Sequence, residues 1–137
     1  MLTLFLDFTC TEAVNLANLL CAGLAPQNWD YLCFRWYMSA EEQMLYMGRA
    51  QQTAATASVL RRNKAVIRLR YTSATSGAAD VWMNGQQLCA GLAGDCGAGT
   101  VTISNAEGNN RFRGTYHEVS LLPGTLRDEQ LRALTIV

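Results

Sequence analysis

The chain has 137 residues, half of them hydrophobic, and its 11 Lys and Arg balance 11 Asp and Glu. That length suits a single domain, residues 1–137, with a core of its own, and the absence of net charge argues against nucleic acid or an anionic membrane as a partner. No apolar run approaches the ~18 residues of a membrane helix; the longest candidate, Leu16 to Pro26, carries Asn18 and breaks at Gly23.

The opening MLTLFLDFTC lacks the basic start of a secretory signal and is interrupted by Asp7. It reads as a first strand, with Leu2, Leu4, Leu6 and Phe8 on one face, and the expected place of synthesis is the cytoplasm, without a signal peptide. Thr11 to Leu24 carries a helical stripe of Ala13, Leu16, Ala17, Leu20 and Leu24 and predicts a short helix or an irregular loop. Period two returns from Tyr31: Leu32, Phe34, Trp36 and Met38 alternate with Cys33, Arg35 and Tyr37 in a central strand. Met44 to Gly48 and Ala57 to Leu60 read as short strands separated by the polar run Gln51 to Thr56, with a turn at Arg61 to Lys64.

Ala65, Ile67, Leu69 and Tyr71 then face away from Val66, Arg68 and Arg70 in a further strand. Thr72 to Ala79 reads as a hairpin loop, and Asp80 to Met83 leads into Asn84-Gly85, the pair favoured where both residues of a two-residue turn need positive φ. Gln86 to Cys89 returns antiparallel. Gly91 to Gly99 is a glycine-rich loop; it precedes a strand (Val101, Ile103) rather than a helix, so it does not suit phosphate. After the polar turn Ser104 to Asn110, Phe112 to Leu122 is the last long strand. Thr125 and Asp128 resemble a capping box for a short helix, with Leu126, Leu131 and Leu134 on one side. The sum is an all-β chain with one or two short helical segments. The five cysteines, odd in number and without C-x-x-C spacing, are expected to be mostly buried thiols.

Five pieces, in order, resemble the laminin-G-like domains of the concanavalin A-like lectin/glucanase superfamily: Ala65 to Tyr71, Val81-Trp-Met-Asn-Gly85, Gly99-Thr-Val-Thr-Ile103, Phe112-Arg-Gly114 with Glu118-Val119, and Leu126 to Leu131. The resemblance implies a two-sheet antiparallel jelly-roll β-sandwich. It also raises the chemistry of the glucanase branch, which needs a carboxylate pair about 5 Å apart on one strand face. No E-x-D-x-E run exists, and the adjacent Glu41 and Glu42 would point to opposite faces of a strand. His117, the only histidine, stands beside Glu118 with no nucleophile recognisable near it. The expectation is therefore a protein that is not an enzyme and has no cofactor. Calcium is the one metal that relatives suggest, through oxygens of Asp7, Asp95, Asn105, Glu107 and Asn109 placed on loops; no compact acidic run supports it.

The candidate binding surface is the outward side of the central strands, where Arg35, Tyr37, Arg68, Arg70 and Trp82 fall opposite the apolar positions. Arg and aromatic side chains converging on one sheet face suit a protein interface or sugar stacking. The competing expectation is that another segment covers that face. Two functional expectations follow. The first is a structural or assembly protein, oligomeric or particle-bound, such as a phage virion component (capsid decoration, tail or fibre subunit) with protein partners. The alternative is a lectin-like module that binds a cell-surface glycan. Both rest on fold analogy.

Overall fold

Apolar residues at every second position of the long strands create two sheets whose inner faces meet in one core. The computed structural model describes residues 1–12, 18–22, 32–38, 43–47, 54–56, 60–96, 101–103 and 112–137. One sheet, A, runs β10 (Arg113–Leu122), β1 (Leu2–Glu12), β6 (Arg62–Tyr71), β7 (Ser76–Met83), β8 (Gln86–Asp95). The other, B, runs β5 (Ala54–Thr56), β4 (Gln43–Met47), β3 (Cys33–Met38), β2 (Asn18–Cys21), β9 (Thr102–Ile103). Every pairing between them is antiparallel. The all-β sandwich read from the sequence is thus the observed class.

The core is built by alternation. Leu4, Leu6, Phe8 and Cys10 of β1, Ala65, Ile67 and Leu69 of β6, and Ala79, Val81 and Met83 of β7 face Leu19, Leu20, Ala22, Leu32 and Phe34 from sheet B. Phe8 meets Phe34 edge to face, ring centroids 6.4 Å apart, so the two sheets interlock at an aromatic pair. Each fully buried Leu or Phe contributes roughly 1.5–3 kcal/mol of transfer energy, which makes this interface the main source of stability. Polar stitches reinforce it: Tyr116 Oη donates to the Leu19 carbonyl at 2.9 Å, and the Leu32 N–H donates to the Asp95 carbonyl at 3.0 Å.

The turn at Asn84-Gly85 forms as its sequence predicts, with φ of 49° and 83°. Asn84 then works as a clasp on β6: its N–H donates to the Lys64 carbonyl, its Oδ1 accepts from the Lys64 N–H, and its Nδ2 donates to Asn63 Oδ1, each at 3.0 Å. Between β1 and β10 the register jumps from Asp7↔Glu118 to Phe8↔Tyr116. His117 is the extra residue of that bulge, which re-aims β10 at this point.

Several expectations need correction. Asn18–Cys21 is a strand, not part of a helix: Leu19 and Leu20 are both buried because the register slips between Asn18 and Leu20. A bulge places adjacent residues inward together, a pattern that imitates a helical stripe. β5 lies at Ala54–Thr56, inside the run read as a polar separator, while residues 57–59 are outside the described set and Leu60 is an exposed turn residue with φ of 65°. β6 begins at Arg62 instead of turning there, β7 starts at Ser76, and β8 continues to Asp95 through half of the expected glycine-rich loop. The helix α1 is Asp128–Leu134; its first turn is closed by Gln130, whose Oε1 accepts from the Arg127 N–H at 2.9 Å, rather than by Thr125 and Asp128. Leu126 and Leu131 pack inward, but Leu134 is exposed.

Candidate functional site

The five residues expected to share one binding face divide between the two sheets. Arg68 and Arg70 lie on β6 and Trp82 on β7, both strands of sheet A, whereas Arg35 and Tyr37 lie on β3, the middle strand of sheet B. The two sheets are layered with the core between them, so these groups do not converge.

On sheet A the outward face is covered by α1. Trp82, 1% exposed, packs with Phe5, Val66 and Leu131, and Leu122 and Leu126 close the rim. Covering of that face was one of the two sequence expectations, and the covering segment is the C-terminal helix. A buried indole has no ring face to offer a sugar, so Trp82 is a core residue. Arg68 belongs to the same unit: its guanidinium sits 5.1 Å over the Trp82 ring, its Nε donates to Asp80 Oδ2 at 2.8 Å and its Nη2 reaches Asp128 Oδ1 at 3.0 Å. One side chain thus joins β6, β7 and α1. Arg70 donates to Asp80 Oδ1 at 2.9 Å, and the Gly91 N–H donates to the same oxygen at 2.7 Å. The Asp80 carboxylate is 3% exposed, and these three donors are what make its burial tolerable. Arg70 keeps about half of its side chain in solvent.

A second ionic contact on the same face joins β1 to the start of β6. Asp7, buried, receives Arg62 in a fork, Nε to Oδ1 and Nη2 to Oδ2, both at 2.7 Å. That bidentate bond holds the Asp7 carboxyl below the usual carboxylate range, against burial, which pushes the other way. Asp7 is therefore a strand residue whose two oxygens are already taken, not a loop oxygen for calcium. Asp95 ends β8 and is exposed; Asn105, Glu107 and Asn109 lie outside the described residues, as do Glu41 and Glu42. Among the described residues no three His, Cys, Asp or Glu side chains group as metal ligands. His117 is exposed and its Nε2 lies 2.7 Å from Thr9 Oγ1, a surface hydrogen bond at the bulge.

On sheet B the register assembles a different set. Phe34 and Leu20, register partners, face the core, so positions alternating with them along the strands lie on the outer face. Arg35 pairs with Asn18 on β2 and with Tyr46 on β4, and Tyr46 pairs with Ala54 on β5. Tyr37, two residues along from Arg35 on the same face, pairs with Met44, which pairs with Thr56. Asn18, Arg35 and Tyr46 thus form one cross-strand row with Tyr37 in the next. Asn18 and Tyr46 were not among the sequence candidates. The only signal for Tyr46 is its place in alternation with the apolar Leu45 and Met47, and Asn18 was hidden by the misread strand β2.

Comparison at the level of sequence gives no match, either to a protein-family model or to a curated protein. Comparison of folds does. The chain is similar to the CBM40 domain of the Ruminococcus gnavus IT-sialidase bound to α2,3-sialyllactose, with a TM-score of 0.55, 12% identity, and coverage of 99% of this chain and 82% of that one. A second structure of the Ruminococcus gnavus IT-sialidase CBM40 gives a TM-score of 0.53 at 12% identity, covering 99% of this chain and 83% of that one. At such low identity the likeness establishes the fold alone: a two-sheet β-sandwich similar to that of these carbohydrate-binding modules.

Proposed function

We propose that the domain is a non-catalytic glycan-binding module and that the outer face of sheet B is its docking surface. The observation that carries this reading is the register row Asn18, Arg35, Tyr46 with Tyr37 beside it. Strands ~4.8 Å apart and a rise of ~3.3 Å per residue make this patch about 10 Å by 7 Å, a footprint suited to a saccharide unit. Its residue types match what sugars need: an aromatic ring for the apolar sugar face, an amide for hydroxyls, and a guanidinium for a carboxylate. The similar module carries sialyllactose, an acidic sugar, which makes sialylated glycans the first class to try. The laminin-G branch of the superfamily remains our preferred placement on the sequence pattern of Ala65 to Leu131.

A glycan array probed with the purified chain tests the reading. Binding concentrated on sialylated structures, and lost in Tyr37→Ala, supports it. Uniform silence across the array, or binding untouched by that substitution, overturns it.

The assembly reading has one observation in its favour. β10 is an edge strand of sheet A among the described residues, and it exposes Val119 and Leu121, 41% and 69%. Edges of this kind are templates for pairing with another chain. A virion role for the domain would use that edge, and light scattering checks it: a stable oligomer that dissociates on Leu121→Lys supports assembly through β10, and a monomer at all concentrations removes its basis.

A further inference from the structure

Cys21 and Cys33 are register partners across β2 and β3. The phase of that pair follows from its neighbour. The Ala22 N–H donates to the Leu32 carbonyl at 2.9 Å, which makes Ala22 with Leu32 the hydrogen-bonded pair and Cys21 with Cys33, one step along, the non-hydrogen-bonded one. A non-hydrogen-bonded antiparallel pair brings its Cα atoms to ~4.5 Å, with side chains closer than in the alternate pair. A disulfide spans Cα separations of ~4.4–6.8 Å. The residues flanking these positions, Leu20, Ala22, Leu32 and Phe34, face the inter-sheet core, so positions 21 and 33 share the opposite face of sheet B.

The other three cysteines contrast with this pair. Cys10, Cys89 and Cys96 are buried in the core. Burial pushes the Cys96 thiol up, which withholds the thiolate that exchange chemistry needs. The topology therefore sets two of the five cysteines apart.

We infer that Cys21 and Cys33 are a disulfide site, closing as a cross-strand staple between β2 and β3 when the protein meets a small-molecule disulfide. The chemistry balances. One cysteine thiolate attacks a sulfur of oxidised glutathione, forming a mixed disulfide and releasing one glutathione thiolate. The second cysteine thiolate attacks the protein sulfur of that mixed disulfide and releases the other glutathione. The protein exchanges two S–H bonds for one S–S bond, and the oxidant's S–S bond becomes two thiols that take up the two protons. The staple stands independently of any glycan reading.

The test treats reduced, folded protein with oxidised glutathione, alkylates the remaining thiols after denaturation, and maps unreduced peptides by mass spectrometry. A linked pair of peptides containing Cys21 and Cys33, an intact mass lower by two hydrogens, and three alkylated thiols of the five is the expected result. The same treatment of Cys33→Ser leaves no internal link to Cys21. If Cys21 and Cys33 are instead recovered separately, alkylated or carrying glutathione, or linked to other cysteines, the inference is overturned. The wild-type map decides this without the variant.

Discussion

Replacing Trp82 by alanine separates a core role from a ligand role. The indole is 1% exposed and fills the space between Phe5, Val66 and Leu131. Removing a buried aromatic of this kind costs about 3–5 kcal/mol through lost transfer energy and the cavity left behind. Loss of the ring's contact with the Arg68 guanidinium, which sits 5.1 Å from its centroid, adds roughly 0.5–1 kcal/mol. Against a total stability of about 5–15 kcal/mol for a domain, Trp82→Ala should lower the urea midpoint sharply, and Trp82→Phe should recover much of the loss by refilling the cavity. Urea titration followed by far-UV circular dichroism measures both, with glycan binding measured per folded molecule. The reasoning is refuted if Trp82→Ala is as stable as the parent, or if the folded variant selectively loses glycan binding.

Three further outcomes follow from the same structure. Asp80→Asn removes the charge that Arg68 and Arg70 share and should destabilise by about 1–3 kcal/mol, as loss of a buried acceptor does; an unchanged urea midpoint would contradict the role assigned to that carboxylate. Asp7 has its folded-state pKa lowered by Arg62, so its contribution to stability is fully present above the ordinary carboxylate range and is lost as pH falls below about 4 through the depressed folded value. Asp7→Asn should therefore flatten the acid limb of a thermal-melt series against pH, and an identical acid limb in the two proteins would count against the bond. A Cβ at Gly114 would overlap the Thr9 carbonyl oxygen and come within 2.9 Å of the Cys10 Cα; Gly114→Ala should cost about 1–3 kcal/mol through overpacking, measurable in the same titration, and a neutral result would mean that β10 yields freely.

Legibility in the sequence tracked how local each cause was. β1 and most of β6 could be read because alternation along a single strand states both the period and the buried face, and Asn84-Gly85 could be read because positive φ at two successive positions is a local demand. β2 could not: a bulge puts Leu19 and Leu20 inward together, and two adjacent buried leucines in four residues fit a helix equally well. The candidate site failed for a different reason. Arg35 and Arg68 look alike in their strands, each opposite an apolar face, but which sheet a strand joins is decided by pairings such as β1 with β10, Thr3 with Leu122, far apart in the chain. The cover over Trp82 was equally invisible, since nothing in Leu126 and Leu131 names the strand they rest on. What the sequence offered for the site was residue type; the partition into a unit of half-buried Arg68 with buried Asp80 and Trp82 and an outer row on sheet B came from topology.

The most direct test of the central claim is a calorimetric titration of α2,3-sialyllactose into the parent chain, Arg35→Ala and Arg70→Ala. The account predicts saturable binding by the parent, a loss of affinity of about tenfold or more in Arg35→Ala, as removal of a charge-assisted contact implies, and parent-like affinity in folded Arg70→Ala. A parent that gives no heat with this or any other array-selected glycan, or a loss confined to Arg70→Ala, would contradict it.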